Sequence, residues 1–384
     1  MAKIKKNKAI KYRIFPTEEQ IQMIEQTFGC CRFLWNHMLS DEHEFYVATD
    51  KHYIPTPARY KKDFPFLKQV DSLALANVQL NINEAFSDFF SGTKKHPKFK
   101  SKKRNPVNSY TTNCQYPKPT PNNPFPNPTI RLIHKAIHVP KIGDIPAKIH
   151  RVPMKGWKLK SATISKEPTG KYYCSVLYEI IEDEPIDVEP VFDTSIGLDY
   201  SSPSFYIDSD GNAAEPPTAY RKMQDKLAKE QRRLSRMQKG SKNYNEQRIK
   251  INLLHEKIKN RRLDFVHQES RRITNAHSSV CLETINLRAM SQTLNLGKST
   301  TDNGFGMFRR MLEYKLADQG KKLLLVGRWY PSSKTCGVCG FINKDLKLRD
   351  RDWICPNCGS FLMRDTNAAS NIRAKAIADY FDVA

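Results

Sequence analysis

The sequence predicts a multidomain α+β protein, in which a β-rich region interrupted by a helical segment precedes a second region of strands and helices. Three observations predict it. Apolar residues recur at helical spacing over 17–35 and 72–90, between an alternating run at 8–15 and a series of short β runs over 110–190. Two long basic stretches of helical periodicity between 221 and 272 lie between two apolar strands, each ending near a carboxylate. Finally, two Cys-x-x-Cys pairs stand at 336–339 and 355–358.

Composition narrows the partners. A chain of 384 residues has room for two or three domains. At this length roughly three quarters of the unfolded surface can be buried, so no disulfide is required. Sixty-three Lys and Arg stand against 40 Asp and Glu, a formal net charge of +23. Such an excess repels itself in a compact state unless a polyanion neutralises it. Nucleic acid is the polyanion of choice, because each neutralised phosphate releases a counterion. No run approaches the roughly 18 apolar residues of a membrane span. The basic N-terminal segment lacks an apolar signal core, so the expected location is the cytoplasm, without a membrane partner. The nine cysteines are odd in number, and four of them form the tight pairs, which is metal spacing in a reducing compartment.

Each element follows from local pattern. KAIKYRIF at 8–15 alternates as a strand. Pro16 and Thr17 then open a helix, with Thr17 and Gln20 as a capping box and Ile21, Ile24 and Phe28 at helical spacing. A second helix over 72–90 places Leu75, Val78, Ile82, Phe86 and Phe89 on one face. The segment 91–108 holds seven Lys and Arg and no acid and reads as a basic linker, either a solvated loop or, with Phe99 interleaved among the charges, a phosphate-contacting one. TIRLI, AIHVPKIG, AKIHRV, KLKSATISKE and KYYCSVLYEI are short strands of a small barrel or sandwich, to which the strand at 8–15 can belong. The acidic EDEPIDVEP at 182–190 reads as a linker. SIGLDY at 195–200 is a strand, followed by a second at 204–207 and a turn at DSDG. Met223, Leu227, Leu234 and Met237 line one helix and Ile251, Leu254, Ile258 and Phe265 another, turning at 239–243 as an antiparallel hairpin. Its 17 Lys and Arg against six acids over 221–272 point to a nucleic-acid-facing surface. SVCLETI at 279–285, a helix at 305–319, a strand at 322–329 and a last helix over about 366–381 complete the chain.

Two constellations carry chemistry. Cys336, Cys339, Cys355 and Cys358, with fifteen residues between the pairs and a glycine after each, can meet one tetrahedral Zn²⁺ at about 2.3 Å per bond. A closed four-cysteine site leaves no position for substrate, so this zinc is structural. The remaining cysteines read as small hydrophobes. Asp199 and Glu283 end strands, and Asp365 opens a helix. Such carboxylates are hard ligands for Mg²⁺, and two ions about 4 Å apart activate water and stabilise the departing oxygen of a phosphodiester. Spacing alone leaves Asp193, Asp208 and Asp210 as equal competitors, and Asp365 as a simple helix cap stabilising by about 1 kcal/mol.

The chain resembles the TnpB (OrfB) proteins of insertion-sequence transposons, relatives of the type V CRISPR nucleases. The resemblance rests on KAIKYRIFPTEEQ and WN within 8–36, LALANVQLNINEAFSDFF and HPKFKSK within 73–102, KLAKEQRRLSRMQKGSKN at 226–243, NRRLDF at 260–265, PSSKTCGVCG at 331–340, CPNCG at 355–359 and RDTNAASNI at 364–372. It implies a wedge β-barrel (1–15 with 104–190), an inserted helical recognition domain (16–103) and an RNase H-like (RuvC) nuclease domain (191–384). The last would contain the basic hairpin (219–273) and the zinc ribbon (329–361). It implies catalytic roles for Asp199, Glu283 and Asp365 with Mg²⁺, two ions being expected, and a structural Zn²⁺. It also implies a guide RNA that pairs with target double-stranded DNA beside a short flanking motif, so that the protein would sit on the nucleoid when bound. The first motif reads GLDYSS where the family usually has a second glycine, and the last reads LMRD where it often has a His and an Asp; both bear on cleavage rate.

Candidate nucleic-acid contacts are Lys98, Lys100, Lys102, Lys103 and Arg104 in the basic loop, and Arg232, Arg233, Arg236, Arg261 and Arg262 in the hairpin. Tyr110, Thr111, Thr112 and Asn113 after the loop, with Asn77 and Gln79 on the second helix, are candidates for reading the flanking motif. Arg364 can stabilise phosphate charge or pair with an acid. The competing readings are a compact type V effector with a CRISPR-derived guide, and an RNA-guided DNA binder or repressor with weak or no cleavage. The presence of all three carboxylates argues against the second.

Overall fold

The computed structural model describes every residue except 1, 104–107, 122, 202–203, 286–303, 348 and 384. The chain divides into two units, 1–183 and 184–384, within the acidic stretch after the β-rich region.

In the first unit, β1 (Lys3–Ile14) begins earlier than its apolar residues predict, because β7 (Tyr172–Asp183) pairs with it antiparallel along its whole length, from Lys3↔Asp183 to Ile14↔Tyr172. A partner that satisfies the backbone lets Lys5, Lys6 and Lys8 remain in the strand. Between them come β2 (Ser109–Asn113), β3 (Arg131–Ile133), β4 (Ala136–Val139), β5 (Gly143–Lys148) and β6 (Lys158–Lys166). The ladder order is β2-β6-β7-β1-β5-β4-β3. In a flat sheet its two edges would be about 29 Å apart, six strand spacings. Yet just beyond those edge strands Thr129 N donates to Gln115 O at 3.0 Å, and Gln115 N to Thr129 Oγ1 at 2.8 Å. The sheet therefore curls toward closure as a barrel.

Three helices accompany the barrel: α1 (Glu18–Thr49), α2 (Pro57–Asp63) and α3 (Ser72–Phe90). The capping box at Thr17 forms as expected, with Gln20 N donating to Thr17 Oγ1 and Thr17 N to Gln20 Oε1. Ile24, Phe28, Leu34 and Met38 of α1 and Leu75, Ile82 and Phe86 of α3 share one buried core with Tyr12, Ile14, Val176 and Ile180 of the sheet. A polar link crosses this core: Asp71 caps α3 by accepting from Leu73 N at 3.0 Å and also accepts from the buried Thr112 hydroxyl of β2.

In the second unit, β8 (Ile196–Tyr200), β9 (Tyr206–Asp208), β10 (Ala213–Ala214), β11 (Ser279–Glu283) and β12 (Lys322–Val326) form a sheet in the order β10-β9-β8-β11-β12. The first three are antiparallel and the last three parallel, which is the RNase H-like arrangement. The second strand starts two residues later than its pattern predicts and takes in Asp208. Between β10 and β11 lies the hairpin of α4 (Gln224–Ser235) and α5 (Lys242–Ala276). Leu227, Ile251 and Ile258 pack inside it, and buried Gln247 ties its helices by donating to Glu230 O at 3.1 Å and to the Glu230 carboxylate at 2.6 Å. The second half of α5 instead packs on the sheet beside α6 (Phe305–Ala317), where Ile196, Leu198, Val280 and Leu282 meet Val266, Ile273, Phe308 and Leu312. The opposite face of the sheet, through Cys281, Leu324 and Val326, takes Ile372, Ala376 and Ile377 of α7 (Arg364–Val383).

Asp71→Ala removes a cap and strands a buried hydroxyl. It is expected to destabilise the chain by about 2–4 kcal/mol in urea unfolding, the sum of a lost cap and an unsatisfied donor. Asp71→Asn, which keeps an acceptor, should cost less than half of that.

Candidate functional site

The placement of the three carboxylates follows from strand parity and one glycine. In β8, Ile196 and Leu198 face α5 and α6, so Gly197 and Asp199 face α7. The parallel pairing Leu198↔Leu282 puts Glu283 of β11 next to Asp199 at the same sheet end. At Gly197 helix and strand touch: a Cβ there would lie 2.0 Å from Ala369 O and 2.9 Å from Arg373 Cβ. Arg373 Nη1 reaches Ser195 O at 3.5 Å. The Ala369–Arg373 turn therefore lies on Gly197 while the Arg373 side chain reaches toward Ser195, so the start of the helix, with Asp365, lies toward Asp199, whose carboxyl feels the Asp365 charge.

The electrostatics agree. Burial raises the Asp199 carboxyl, and the nearby Asp365 and Glu283 carboxylates raise it further, to about 8, with Arg364 and Arg351 offsetting part. Burial also raises Glu283. Arg351 Nη1 holds Asp365 Oδ2 at 2.9 Å. The three acids are neighbours, one of them held by an arginine, but their oxygens do not all lie within 4.8 Å of one another; they are hard-oxygen groups of the type that suits a divalent cation. The competitors separate: Asp193 is exposed, and Asp208 Oδ1 accepts from Asp210 N and Asn212 N at 3.1 and 2.8 Å as a turn residue. Asp210 stands 3.8 Å from Arg373.

The cysteines are drawn together more tightly. Among the described residues they are the one set of three or more His, Cys, Asp or Glu whose ligand atoms all lie within 4.8 Å of one another. Cys336 Sγ is 3.7 Å from Cys358 Sγ, and Cys339 Sγ is 3.6 Å from Cys355 Sγ. Four 2.3 Å bonds to one tetrahedral ion require edges of about 3.8 Å, so the set can hold one zinc ion. Both knuckles turn alike. Gly340 N donates to Cys336 O at 2.9 Å and Gly359 N to Cys355 O at 2.8 Å, each glycine at a φ above +70° that a side chain would strain. Contacts with Ser360 depress the Cys358 thiol to about 6, favouring the thiolate that a metal needs. Strands β13 (Asp352–Ile354) and β14 (Phe361–Met363) pair beneath the second knuckle, and β14 runs directly into α7.

The nucleic-acid candidates divide. Tyr110, Thr112 and Asn77 are buried. Tyr110 packs on Phe28, Thr112 bonds Asp71, and Asn77 Nδ2 donates to Leu73 O at 2.8 Å. Helix α3 is covered by both α1 and β2, so its buried arc is wider than one apolar stripe and takes in Asn77. Thr111, Asn113 and Gln79 remain partly accessible. Lys98, Lys102 and Lys103 are exposed, whereas Lys100 lies with its ammonium 3.5 Å over the Trp35 ring, and burial lowers its pKa. Trp35 Nε1 donates to Lys98 O at 3.1 Å, and Asn36 pairs with the Lys100 backbone in both directions, so the basic loop is pinned to α1. Arg104 lies outside the described residues. Arg232, Arg233 and Arg236 line one cleft of about 510 Å³ on the hairpin with Lys229. Arg261 is exposed and Arg262 partly covered.

Sequence reasoning missed Gly197, Arg351, Asn367 and Asn371. The pairing of Arg351 with Asp365 gives no sequence signal. The two asparagines, four apart on one helix, gave a signal that a polar pair on an otherwise buried helix needs partners.

Strand order, carboxylate cluster and four-cysteine ribbon define an RNase H-like nuclease domain of the kind that uses divalent metals. Residues 175–294 match a family model described as "Probable transposase", of the OrfB group. Residues 305–372 match the Cas12f1-like TNB domain, and residues 1–51 a model described as "Helix-turn-helix domain". In this chain those first residues are one strand and one unbroken helix, α1. A Streptomyces pristinaespiralis protein named "Putative RNA-guided DNA endonuclease" is 31% identical over 97% of this chain and 90% of its own length. An Escherichia coli K12 protein named "Putative RNA-guided DNA endonuclease InsQ" is 27% identical over 97% and 92%. The Cas12f1 chain of a cryo-EM complex with sgRNA and target DNA shares the fold, with a TM-score of 0.57 at 12% identity over 96% of this chain and 99% of that one. The chain belongs to the TnpB (OrfB) family of RNA-guided DNA endonucleases. Among the described residues no helix is long and apolar enough to cross a membrane.

The purified chain is expected to carry one equivalent of zinc by elemental analysis, and Cys355→Ser to lose it together with thermal stability. A second outcome follows from Asp199. Its carboxyl is raised in the folded chain, so its contribution to stability is present below about pH 4 and lost as pH rises toward 8. By calorimetry in chelator, wild type should therefore lose stability relative to Asp199→Asn between pH 5 and 8, and Mg²⁺ should narrow the gap.

Proposed function

We propose that this chain cuts double-stranded DNA at sites chosen by a bound, transposon-derived guide RNA, using Asp199, Glu283 and Asp365 to hold Mg²⁺, two ions being the expected number. One observation supports the reading: Asp199 ends β8 beside Glu283 at the same end of the adjacent parallel β11, on the face packed by the helix that Asp365 opens, and burial together with those two carboxylates raises Asp199 to about 8. Acids kept together at such a cost to the ion-free fold make sense as a cation site beside a phosphodiester.

Bound there, divalent cations supply Lewis acidity to the scissile phosphate and lower the pKa of water. The chain's own residues prepare that state. The Asp199 carboxyl, raised to about 8, would have to lose its proton to hold a cation. Arg351 neutralises Asp365 through a single oxygen, Oδ2. The cysteines hold a structural zinc that takes no part in the chemistry. Lys98, Lys102 and Lys103, and the Arg232–Arg233–Arg236 cleft, offer cations to RNA and DNA backbones, while base pairing with the guide supplies sequence.

The test is to express the gene with its flanking DNA, sequence the RNA that copurifies, and assay a plasmid matching that RNA. Cleavage should require Mg²⁺ and fall at least about 1,000-fold in Asp199→Ala, about 4 kcal/mol of transition-state stabilisation. RNA and DNA binding should stay within about threefold. Wild-type cleavage by Asp199→Ala, or cleavage indifferent to the RNA, would sink the proposal.

A further inference from the structure

Helix α7 carries more than Asp365. Asn367 and Asn371, four residues apart and so stacked along one face of its first turns, are both buried at 6% exposure. Their amides grip the loop of the first cysteine knuckle. Asn367 Nδ2 donates to Thr335 O at 2.7 Å, and its Oδ1 accepts from Gly337 N at 2.9 Å, so one amide brackets Cys336 on both sides. Asn371 Nδ2 donates to the same Thr335 O at 2.7 Å and to Ser332 O at 2.8 Å.

Gly337 shows how close this contact is. Unlike Gly340 and Gly359, it does not have a positive φ, so its conformation makes no demand for glycine. The demand is steric: a Cβ would lie 2.8 Å from Asn367 Oδ1 and 3.2 Å from Asn371 Oδ1. The ribbon holds the same helix end a second time. Arg364 N donates to Arg351 O at 2.8 Å, and Arg351 Nη1 reaches Asp365. Gly197 lets the second turn of α7 approach the sheet, but a glycine contact is smooth and does not by itself set the rotation of the helix. The directed amide bonds to the Cys336 knuckle do.

We propose that Asn367 and Asn371 are positioning residues. They lock the rotation and advance of α7 to the four-cysteine knuckle, and so hold the Asp365 carboxylate where it can share cations with Asp199 and Glu283. The inference rests on the nuclease reading above. It also gives the structural zinc a second role, because the order it imposes on Cys336 reaches the cation site through these amides.

The experiment measures Mn²⁺ binding to the full-length, zinc-loaded chain by electron paramagnetic resonance. The chains compared are wild type, Asp199→Ala, Asn367→Ala, Gly337→Ala and the Asn367→Ala/Gly337→Ala pair. Zinc content and the absorption spectrum of the cobalt-substituted ribbon are followed alongside. Both single variants should keep one metal in the ribbon with an unchanged cobalt spectrum, yet weaken Mn²⁺ about 10- to 100-fold. The double variant should be no weaker than the worse single, because both break the same link. The Mg²⁺ needed for half-maximal cleavage should rise by the same factor, with the rate recovering at saturating Mg²⁺. If wild type and Asp199→Ala bind Mn²⁺ alike, the nuclease-site reading itself fails. If they differ, but Asn367→Ala and Gly337→Ala bind Mn²⁺ within about twofold of wild type, the positioning role is overturned. Should Asn367→Ala not fold, Asn371→Ala, which leaves the bracket around Cys336 in place, is judged by the same criterion with a smaller expected loss.

Discussion

Everything in the second unit depends on a helix lying against a strand with no side chain between them. Gly197 is the place where α7 meets β8, its missing Cβ occupied by the Ala369 carbonyl. Any side chain there would lift the helix by the thickness of a methyl group or more, and an interior packed as densely as a crystal has no slack to absorb it. The contact matters because helix and strand run antiparallel. The close approach brings α7 onto the face of β8 that carries Asp199, so the start of the helix, with Asp365, can lie beside it. The strand's alternation then does the rest, since Glu283 has the same parity on the neighbouring parallel strand.

That geometry is electrostatically unfavourable by itself. Burial and two like charges push Asp199 up to about 8, and Asp365 takes Arg351 as a partner. A site arranged for stability alone would disperse these acids, as it does Asp208, whose carboxylate is satisfied by its own turn. Asp208 finds its donors in its own turn, whereas Asp199 is buried beside like charges, the environment in which perturbed carboxyls of functional sites are found.

This contrast also explains what could be read from the sequence. The cysteine set was legible because each pair is a local turn with its own glycine and four thiols at that spacing have few other uses. Helix α3 and the capping box at Thr17 were legible for the same local reason. The carboxylates were half legible. Asp199 and Glu283 could be recognised as strand ends, but so could Asp208, and only the resemblance chose among them. What chooses in the folded chain is parity with Gly197, a relation between β8 and an element some 170 residues later. Tyr110 and Thr112 were misjudged because SYTTN alternates without an apolar face, so nothing local says which side turns inward. The pairing of Arg351 with Asp365 was invisible, since it depends on the ribbon folding back across β13 and β14.

The four cysteines and the proposed carboxylate site sit at opposite ends of coordination chemistry yet meet at one helix. Four soft thiolates close around an ion and leave nothing exchangeable. Three hard carboxylates leave room for water and phosphate but bind weakly enough to depend on their own placement. A weak site gains most from a rigid neighbour, because the ordering cost of its ligands is then met before the cation arrives. The ribbon is such a neighbour. It enters α7 directly from β14, and the asparagine bonds to the Cys336 knuckle return from α7 to its other strand of chain. Residues 332–371 thereby form a closed loop of covalent and hydrogen bonds, in which an ion held by the cysteines would stiffen the frame around Asp365.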